Sequence, residues 1–382
     1  MNALTPQTAE ELAEALGAAA AAGKVIALGG RFTKQNMAGP IAPAEVTIST
    51  ASMRRVLEYA PHDLTISVEA GLPFAELRRV VAQNRLMIPL DPPFSEAGSV
   101  GGVVAANLSG PRRCLYGTAR NMVIGMKFAT LAGKLVQSGG RVVKNVAGLD
   151  FAKLMIGSFG TLAAIAVVNF KLVPMPALSR SFLQGADSLE EAMRARNGVL
   201  KSFLQPAAID LLNPRAAAQI GRESYLVVVQ AGGNPAVIGR YSRELSAAQA
   251  IQGDEEEALW HRIQNFTPQF LAGNPDGAVV RVSGTLTQLE AVVESMDVPV
   301  VARAGTGVCY GYFANCAEAD AWMKEVCLPQ GWKAVIEFSP AAEKEKLELW
   351  PCPGNDLETM KRVKQMFDPD HLLNRGRLYG RI

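Results

Sequence analysis

Glycines and small polar residues are concentrated in residues 97–172 of this 382-residue chain. Three glycine-rich runs stand there: SVGG at 99–102, GGRVVKNVAG at 139–148 and GSFG at 157–160. Glycine lets a backbone approach a ligand closely, adopt a positive φ and turn bare N–H groups toward an anion. Three such runs in one apolar segment predict a site for a large cofactor that carries phosphate groups.

A further glycine pair follows the first predicted strand of the chain. Val25–Leu28 is a short apolar run, and GGRFTK (29–34) comes directly after it. A pyrophosphate could lie against the backbone N–H groups of this loop, with Thr33 and Lys34 as additional donors. The loop matches neither the G-x-G-x-x-G pattern nor the G-x-x-x-x-G-K-[ST] pattern, and an ordinary surface turn would explain it equally well.

Composition limits the class of protein. The length predicts two domains, and 49% hydrophobic with 19% charged residues is typical of a globular protein with a large core. The net charge of +2 gives no reason to expect nucleic acid or an anionic membrane surface as a partner. No apolar run reaches the ~18 residues of a membrane span, and the N-terminus lacks the pattern of a signal peptide. The five cysteines form no C-x-x-C pair, which indicates reduced intracellular thiols and argues against an iron–sulfur cluster or a zinc site in this chain.

The elements around the glycine-rich stretch follow from hydrophobic spacing. Thr8 begins a predicted capping box and helix, and Pro73 begins another. Met53, Val56 and Leu57 have helical spacing and predict a third helix. Predicted strands cover 25–28, 46–49, 64–68, the hairpin arms 127–131 and 135–138, and 161–172. Pro174 and Pro176 then mark a domain boundary.

The second half of the chain has a different order of predicted strands and helices. Strands are predicted at 225–229, 279–282, 300–302 and 334–338, with helices between or beside them at 189–196, 255–264, 286–296 and 318–326. This order indicates an antiparallel sheet covered by helices on one face. A last helix, predicted at 357–367, leads into a closing segment that reads DPDHLLNRGR (368–377).

Taken in order, these pieces resemble the flavin-binding domain of the vanillyl-alcohol-oxidase-type (PCMH) flavoproteins. Within that superfamily the sequence is similar to the FAD-binding subunits of bacterial glycolate oxidases. The resemblance rests on Gly29-Gly30 with Lys34, SVGG (99–102), NLSGPRR (107–113), YGT (116–118), VKNVAGLD (143–150), GSFGTL (157–162) and FDPDHLLNRGR (367–377). It is dense over about 24–176 and 357–380.

The resemblance implies an α+β fold in which two α+β subdomains hold an extended FAD and a smaller antiparallel-sheet cap domain follows. The expected boundaries are 1–176 for the FAD-binding domain, 177–355 for the cap or substrate domain, and 356–382 for a segment that returns to the FAD domain.

Site residues are carried over by motif position. Gly29, Gly30, Thr33 and Lys34 would line the pyrophosphate. Eleven residues would follow the phosphates, ribityl chain and ring: Pro89, Gly98, Ser99, Val100, Gly101, Gly102, Asn107, Gly110, Arg112, Tyr116 and Gly117. Gly157, Ser158, Gly160 and Thr161 would lie near the adenine, and Asn374 and Arg377 would approach the isoalloxazine.

The sequence departs from the family pattern in three places. Arg31-Phe32 stands in the first loop where small residues are usual, and Arg375 stands where proline usually follows the asparagine. No histidine occurs in the first loop or in residues 99–118, so we expect FAD to be bound without a covalent link.

The resemblance also implies the chemistry, which is oxidation of a 2-hydroxy acid. Similar full-length D-2-hydroxy-acid dehydrogenases place a histidine-ligated metal at the substrate, but His62, His261 and His371 are too few and too scattered for such a cluster, so no metal is expected. Arg281 and Arg303 could bind a carboxylate, although solvent-facing arginines explain them as well.

Three functions remain open at this level. The first is a flavin subunit of a complex that oxidises glycolate to glyoxylate, with substrate oxidation in a sister flavoprotein and electrons leaving through an iron–sulfur subunit. Such a complex would lie in the cytoplasm or, through those partners, at the inner face of the membrane. The second is a self-sufficient FAD-dependent D-2-hydroxy-acid (D-lactate) dehydrogenase. The third is a scaffold subunit without catalysis. The scarcity of histidine favours the first, and the retained glycines argue against the third.

Overall fold

The structure is a computed structural model that describes residues 2–40, 42–140 and 149–382. The VKNVAG part of the motif at 143–150 lies outside these residues. The chain divides into two compact units. The first unit comprises 1–109, 117–175 and 353–382, and the second comprises 110–116 and 176–352.

A small parallel sheet begins the first unit. Its strands are β1 (Asn2–Leu4), β2 (Ile26–Gly29) and β3 (Val46–Ser49), in the order β1-β3-β2. Thr8 caps helix α1 (Ala9–Ala21), since its hydroxyl accepts a hydrogen bond from the Glu11 N–H at 3.1 Å. Leu12 and Leu16 on the buried face of α1 are fully enclosed, as the capping box and spacing predict. Gly29 pairs with Ser49, so the loops that follow β2 and β3 leave the sheet at the same edge.

A five-stranded antiparallel sheet forms the rest of the first unit, in the order β4-β5-β9-β7-β8. Its strands are β4 (Val56–Ala60), β5 (Thr65–Glu69), β7 (Val123–Ala129), β8 (Leu135–Gly139) and β9 (Ala164–Lys171). A separate two-stranded ladder joins β6 (Leu86–Met87) to β10 (Val173–Pro174). The helices of this unit are α2 (Phe74–Ala82), α3 (Val100–Ala105), α5 (Ala119–Met122), α6 (Ala152–Met155) and α14 (Leu357–Phe367).

The helix predicted around Met53, Val56 and Leu57 is wrong. Thr50–Ser52 form a 3₁₀ turn, and the following residues form β4, which pairs antiparallel with β5. Val56 and Leu57 are both exposed on this edge strand, so their spacing reflects no buried helical face. The pairing with β5 is a tertiary interaction that overrides the local pattern.

An eight-stranded antiparallel sheet makes up most of the second unit, in the order β14-β11-β13-β12-β16-β17-β15-β18. The strands are β11 (Leu178–Ala186), β12 (Ala208–Leu212), β13 (Tyr225–Gly233), β14 (Gln249–Ile251), β15 (Ala278–Ser283), β16 (Val300–Arg303), β17 (Val308–Phe313) and β18 (Ala334–Phe338). The helices are α4 (Arg113–Tyr116), α7 (Leu189–Lys201), α8 (Pro214–Ala218), α9 (Pro235–Glu244), α10 (Asp254–Gln264), α11 (Phe266–Gly273), α12 (Leu289–Glu294) and α13 (Cys316–Trp322). The predicted antiparallel sheet is confirmed.

No helix in the described part of the chain is both long enough and apolar enough to cross a membrane.

Candidate cofactor-binding site

A cavity of about 110 Å³ lies within the first unit. Four segments enclose it: the loop after β2, the first residues after β3, helix α3 with the turn that ends in Gly160, and the closing segment of the chain. The lining residues are Leu28, Gly29, Gly30, Arg31, Phe32, Thr33, Lys34, Gln35, Met37, Thr50, Ser99, Gly101, Gly102, Ala105, Ala106, Phe159, Gly160, Ala163, Ile165, Asn374 and Arg377.

The charges that line the cavity are all positive. Arg31, Lys34 and Arg377 contribute to its wall, and no acidic residue is among the described lining residues. The Lys34 ammonium donates a hydrogen bond to the Thr33 hydroxyl at 3.2 Å, and no ion pair within the described residues neutralises it. Burial, and secondarily the charge of Arg377, lower the pKa of Lys34 to about 8. A phosphate group in the cavity would meet a cation that lacks a carboxylate partner.

The glycine loop and the start of α3 come close together at the cavity wall. Ser99 caps α3, and its hydroxyl accepts a hydrogen bond from the Gly102 N–H at 3.3 Å. A Cβ on Gly30 would collide with this hydroxyl, so only glycine fits there. A Cβ on Gly98 would lie 3.1 Å from the Lys34 ammonium. The glycines therefore keep open the space around Lys34.

Gly160 and Asn374 join two walls of the cavity. Gly160 has a φ of +69°, and a Cβ there would lie 2.8 Å from the Asn374 amide nitrogen. That nitrogen donates to the carbonyls of Leu28 (3.0 Å) and Phe159 (2.9 Å), and the Asn374 amide oxygen accepts from the Leu28 N–H at 2.7 Å. The polar atoms of Asn374 are thus bonded to backbone and fix the geometry of the wall.

Arg377 clamps the loop that carries Lys34. Its guanidinium donates to the carbonyls of Lys34 (2.5 Å), Met37 and Gly39 (2.8 Å). Burial lowers its pKa to about 10, so it remains a cation at neutral pH. Arg377 shapes the loop through these bonds and adds positive charge to the cavity.

The predicted site residues divide into three groups by position. Those that line the cavity are Gly29, Gly30, Thr33, Lys34, Ser99, Gly101, Gly102, Gly160, Asn374 and Arg377. Those in the first unit but outside the lining are Pro89, Gly98, Val100, Asn107, Gly117, Gly157, Ser158 and Thr161. Those that cluster with the second unit are Gly110, Arg112 and Tyr116. Contact of each with FAD stays a prediction.

Ser158 and Thr161 use their hydroxyls inside the turn that carries Gly160. The Ser158 hydroxyl donates to the Met155 carbonyl at 2.9 Å, and the Thr161 hydroxyl donates to the Ser158 carbonyl at 2.7 Å. Both side chains are buried. These bonds fix the turn, which explains why serine and threonine suit these positions.

Residues 110–116 bring two arginines to the second unit. Arg112 donates to the side-chain oxygen of Gln230 at 3.3 Å. Arg113 interacts electrostatically with Arg281, Arg303 and Glu337. Its pKa is lowered chiefly by burial. The arginines of the NLSGPRR motif therefore lie, in this structure, near polar side chains of the second unit.

The two arginines singled out as carboxylate ligands are paired with carboxylates of the chain. Arg303 forms an ion pair with Asp210, and both side chains are buried. Arg281 binds Glu337 at 2.7 Å, and burial raises the pKa of that glutamate although Arg281 opposes the shift. Tyr310 lies close to Arg303, whose guanidinium is 5.7 Å from the ring centroid.

Several lining residues were not predicted from the sequence as site residues. Thr50 follows β3, and the parallel pairing of Gly29 with Ser49 places it beside Gly30. Carboxyl ends of parallel strands meet at one edge of a sheet, so an assumed parallel pairing of 25–28 with 46–49 would have found Thr50. Ala105, Ala106 and Phe159 line the cavity beside motifs that were recognised.

Comparison with known proteins agrees with this geometry. The FAD binding domain family matches residues 2–139, and the family of FAD linked oxidases, C-terminal domain, matches residues 352–378. The chain is 28% identical to glycolate oxidase subunit GlcE of Escherichia coli (strain K12), over 88% of each chain. It is 30% identical to a D-2-hydroxyglutarate dehydrogenase of Xanthomonas citri pv. viticola, over 93% of this chain and 84% of that protein.

The fold has a match among solved structures. Alkyldihydroxyacetonephosphate synthase superposes with a TM-score of 0.69 at 19% identity, over 97% of this chain and 75% of that one. At this identity the likeness concerns the fold alone. It confirms the predicted α+β class, with a PCMH-type FAD-binding domain and an antiparallel-sheet domain.

Fold and cavity together define a flavoprotein. The cavity is lined by positive charge and glycines, and its lysine has no carboxylate partner among the described residues, which fits a dinucleotide with two phosphates. The chain belongs to the FAD-linked oxidoreductases of the vanillyl-alcohol-oxidase (PCMH) type, and FAD is its cofactor.

Proposed function

We propose that the chain is the FAD-binding subunit of a complex that oxidises glycolate, or a closely related 2-hydroxy acid, to the 2-keto acid. The observation that carries the proposal is the cavity of the first unit, whose charged lining residues are all cations. Similarity to a glycolate oxidase subunit over 88% of each chain supports the assignment to a complex.

In this proposal the lining residues divide the work of binding. Lys34 and Thr33 hold the diphosphate, and Arg377 keeps the loop of Lys34 in place. Gly160 and the Asn374 amide fix the opposite wall. FAD bound there would supply a carrier for the electrons that the complex takes from the 2-hydroxy acid.

We further propose that FAD is held without a covalent bond. Flavin attachment to a protein needs a nucleophilic side chain, and histidine, cysteine and tyrosine are absent from the described lining of the cavity. The cofactor should therefore leave the protein when the fold is lost.

The second unit supports a division of labour with a partner. Asp210 and Glu337 already neutralise Arg303 and Arg281, the two cations that a substrate carboxylate could use. A substrate acid would have to displace a buried carboxylate. Leaving that carboxylate buried without its arginine costs on the order of 3–5 kcal/mol. We therefore place substrate oxidation on a sister flavoprotein subunit, with electrons leaving through an iron–sulfur subunit. The complex would work in the cytoplasm or at the inner face of the membrane.

The experiment is an anaerobic titration of the purified chain with glycolate and with D-lactate. We expect a yellow protein that releases intact FAD on acid precipitation and is not bleached by either acid alone. Addition of the sister flavoprotein and iron–sulfur subunits should then give bleaching with glycolate.

Two other results would contradict the proposal. Bleaching of the isolated chain would show a self-sufficient D-2-hydroxy-acid dehydrogenase, which the similarity to D-2-hydroxyglutarate dehydrogenase makes the second candidate. A folded, colourless chain that takes up no added FAD would leave only a scaffold role.

A further inference from the structure

One buried ion pair lies close to the cavity but does not line it. Lys364 belongs to α14 and Asp368 follows the end of that helix; their side chains are 1% and 0% exposed. The Lys364 ammonium lies 2.5 Å from the Asp368 carboxylate. Neither residue is among those that line the cavity.

All three N–H groups of Lys364 are used. Besides the carboxylate, the ammonium donates to the Thr161 carbonyl at 2.8 Å and to the Leu373 carbonyl at 3.0 Å. Burial lowers the pKa of Lys364, and Asp368 opposes that shift. One cation thus ties two backbone segments that are more than 200 residues apart in sequence.

Asp368 organises the segment that follows it. Its carboxylate accepts hydrogen bonds from the N–H groups of Leu372 (2.9 Å) and Leu373 (2.8 Å). Leu373 then forms a parallel bridge with Ile26, the first residue of β2. The carboxylate therefore sets where the closing segment meets β2.

The two carbonyls that Lys364 holds belong to residues that directly neighbour two lining residues of the cavity. Thr161 directly follows Gly160, and Leu373 directly precedes Asn374. The amide of Asn374 bridges the carbonyls of Phe159 and Leu28, so its place depends on the distance between the turn that carries Gly160 and the closing segment. Lys364 fixes that distance through its hydrogen bonds to the two carbonyls.

A buried ion pair is weak evidence for stability, since an apolar pair of similar size often stabilises a fold as well or better. Its geometric effect is more specific, because every donor and acceptor must be met at once. Resting on the proposed FAD cavity, we propose that Lys364 and Asp368 are positioning residues for FAD that act through Asn374.

The test is FAD binding to the apoprotein of matched variants. Lys364→Met should raise the FAD dissociation constant roughly tenfold, by analogy with the lower end of the effect that outer partners of metal ligands have on metal affinity. Lys361→Met is the matched control. Lys361 lies on the same helix, its side chain is half exposed, and it pairs with Glu358 on the surface, so binding should not change.

A double variant separates positioning from general support of the fold. If Lys364 acts through Asn374, Lys364→Met combined with Asn374→Ala should bind FAD no more weakly than Asn374→Ala alone. The visible circular dichroism of FAD bound at saturation should also change in Lys364→Met. If the effects of the two substitutions on the dissociation constant multiply and the flavin spectrum is unaltered, Lys364 has a structural role only. That result would overturn the proposal.

A variant that preserves shape covers the case in which Lys364→Met does not fold. Asp368→Asn removes only the charge and keeps an oxygen that can accept a backbone N–H. We expect a smaller rise in the dissociation constant and the same spectral change.

The outcome also distinguishes this proposal from the cavity assignment. If Lys34→Met weakens FAD binding while Lys364→Met and Asp368→Asn bind like Lys361→Met, the cavity stands and the positioning role is wrong. If Lys34→Met and Asn374→Ala also bind FAD like the unaltered chain, the cavity assignment itself is wrong.

Discussion

Lys34 in the first unit and two arginines in the second unit differ in their partners. In the first unit, Lys34 faces a cavity and donates to the hydroxyl of Thr33, with no ion pair among the described residues. In the second unit, Arg303 and Arg281 are paired with Asp210 and Glu337. A cation without a carboxylate leaves a place for an anion from outside, whereas a pair within the chain closes it. The difference indicates that Lys34 is available to a ligand and that Arg303 and Arg281 maintain the structure of the second unit.

The same contrast appears between two lysines of the first unit. Lys364 is enclosed and meets three acceptors, so its charge is fully used. Lys34 is only partly enclosed, and burial lowers its pKa to about 8. Burial of an ammonium without a carboxylate is unfavourable, and a bound phosphate would reverse that cost.

The largest expected effect tests whether the second unit uses its ion pair for structure. Arg303→Met leaves Asp210 charged and buried, so the free energy of unfolding of the second unit should fall by about 3–5 kcal/mol. All four tryptophans, Trp260, Trp322, Trp332 and Trp350, belong to this unit, so urea unfolding followed by tryptophan fluorescence reports on it.

The matched control is Arg215→Met. Arg215 pairs with Asp297 on the surface of the same unit, and the change should stay within about 0.5 kcal/mol. Equal losses in the two variants would mean that the buried pair has no special structural role. A weaker affinity for FAD in Arg303→Met would contradict the contrast between the units.

A smaller effect is expected at the cavity wall. Gly160→Ala puts a side chain on a residue with positive φ, at a cost of about 1–2 kcal/mol, and pushes against the Asn374 amide. The temperature at which FAD is released, followed by flavin fluorescence, should fall, while the tryptophan-detected transition of the second unit stays unchanged.

Gly198→Ala serves as the opposite control. Gly198 lies inside α7, and the space that an alanine methyl group would occupy there is open, so alanine should stabilise the second unit by about 0.5–1 kcal/mol. An unchanged release temperature in Gly160→Ala would show that the wall tolerates a side chain at that point.

The smallest expected effect is on pH dependence. Because the folded apoprotein lowers the pKa of Lys34 to about 8, FAD affinity should fall as pH rises from 7 to 9 and the ammonium is lost. Stability of the apoprotein should change in the other direction. The unfolded chain binds more protons between pH 8 and about 10, so stability rises with pH there.

The pH profiles are measured by FAD titration and by urea unfolding of the apoprotein. Lys34→Met should remove the change in FAD affinity between pH 7 and 9. If the unaltered protein has a flat profile over this range, Lys34 does not carry the charge that binds the phosphate.

Much of the fold follows from the sequence, and the failures have clear causes. The capping box at Thr8 predicts α1, and the closing helix appears at the predicted residues. The helix predicted at Met53 and Val56 fails because β4 is an exposed edge strand whose partner, β5, decides its structure.

The site was harder to predict than the fold because its polar contacts are tertiary. The motifs bring Gly30, Ser99 and Lys34 to one cavity, as the sequence predicts. Lys364 and Asp368, four residues apart on and after a helix, would pass for an ordinary surface pair. Their burial and their position next to the cavity depend on tertiary contacts such as that of Lys364 with Thr161, which is far away in the sequence.

The central claim is that Lys34 of the first unit binds the cofactor and that Arg281 and Arg303 of the second unit do not. The most direct measurement is the FAD dissociation constant of Lys34→Met beside that of Arg281→Met at pH 7. Loss of a charged hydrogen bond, about 1.5–3 kcal/mol, should weaken binding roughly 10- to 100-fold in Lys34→Met and leave Arg281→Met unchanged. Equal affinities in the two variants, or a loss in Arg281→Met alone, would contradict that claim.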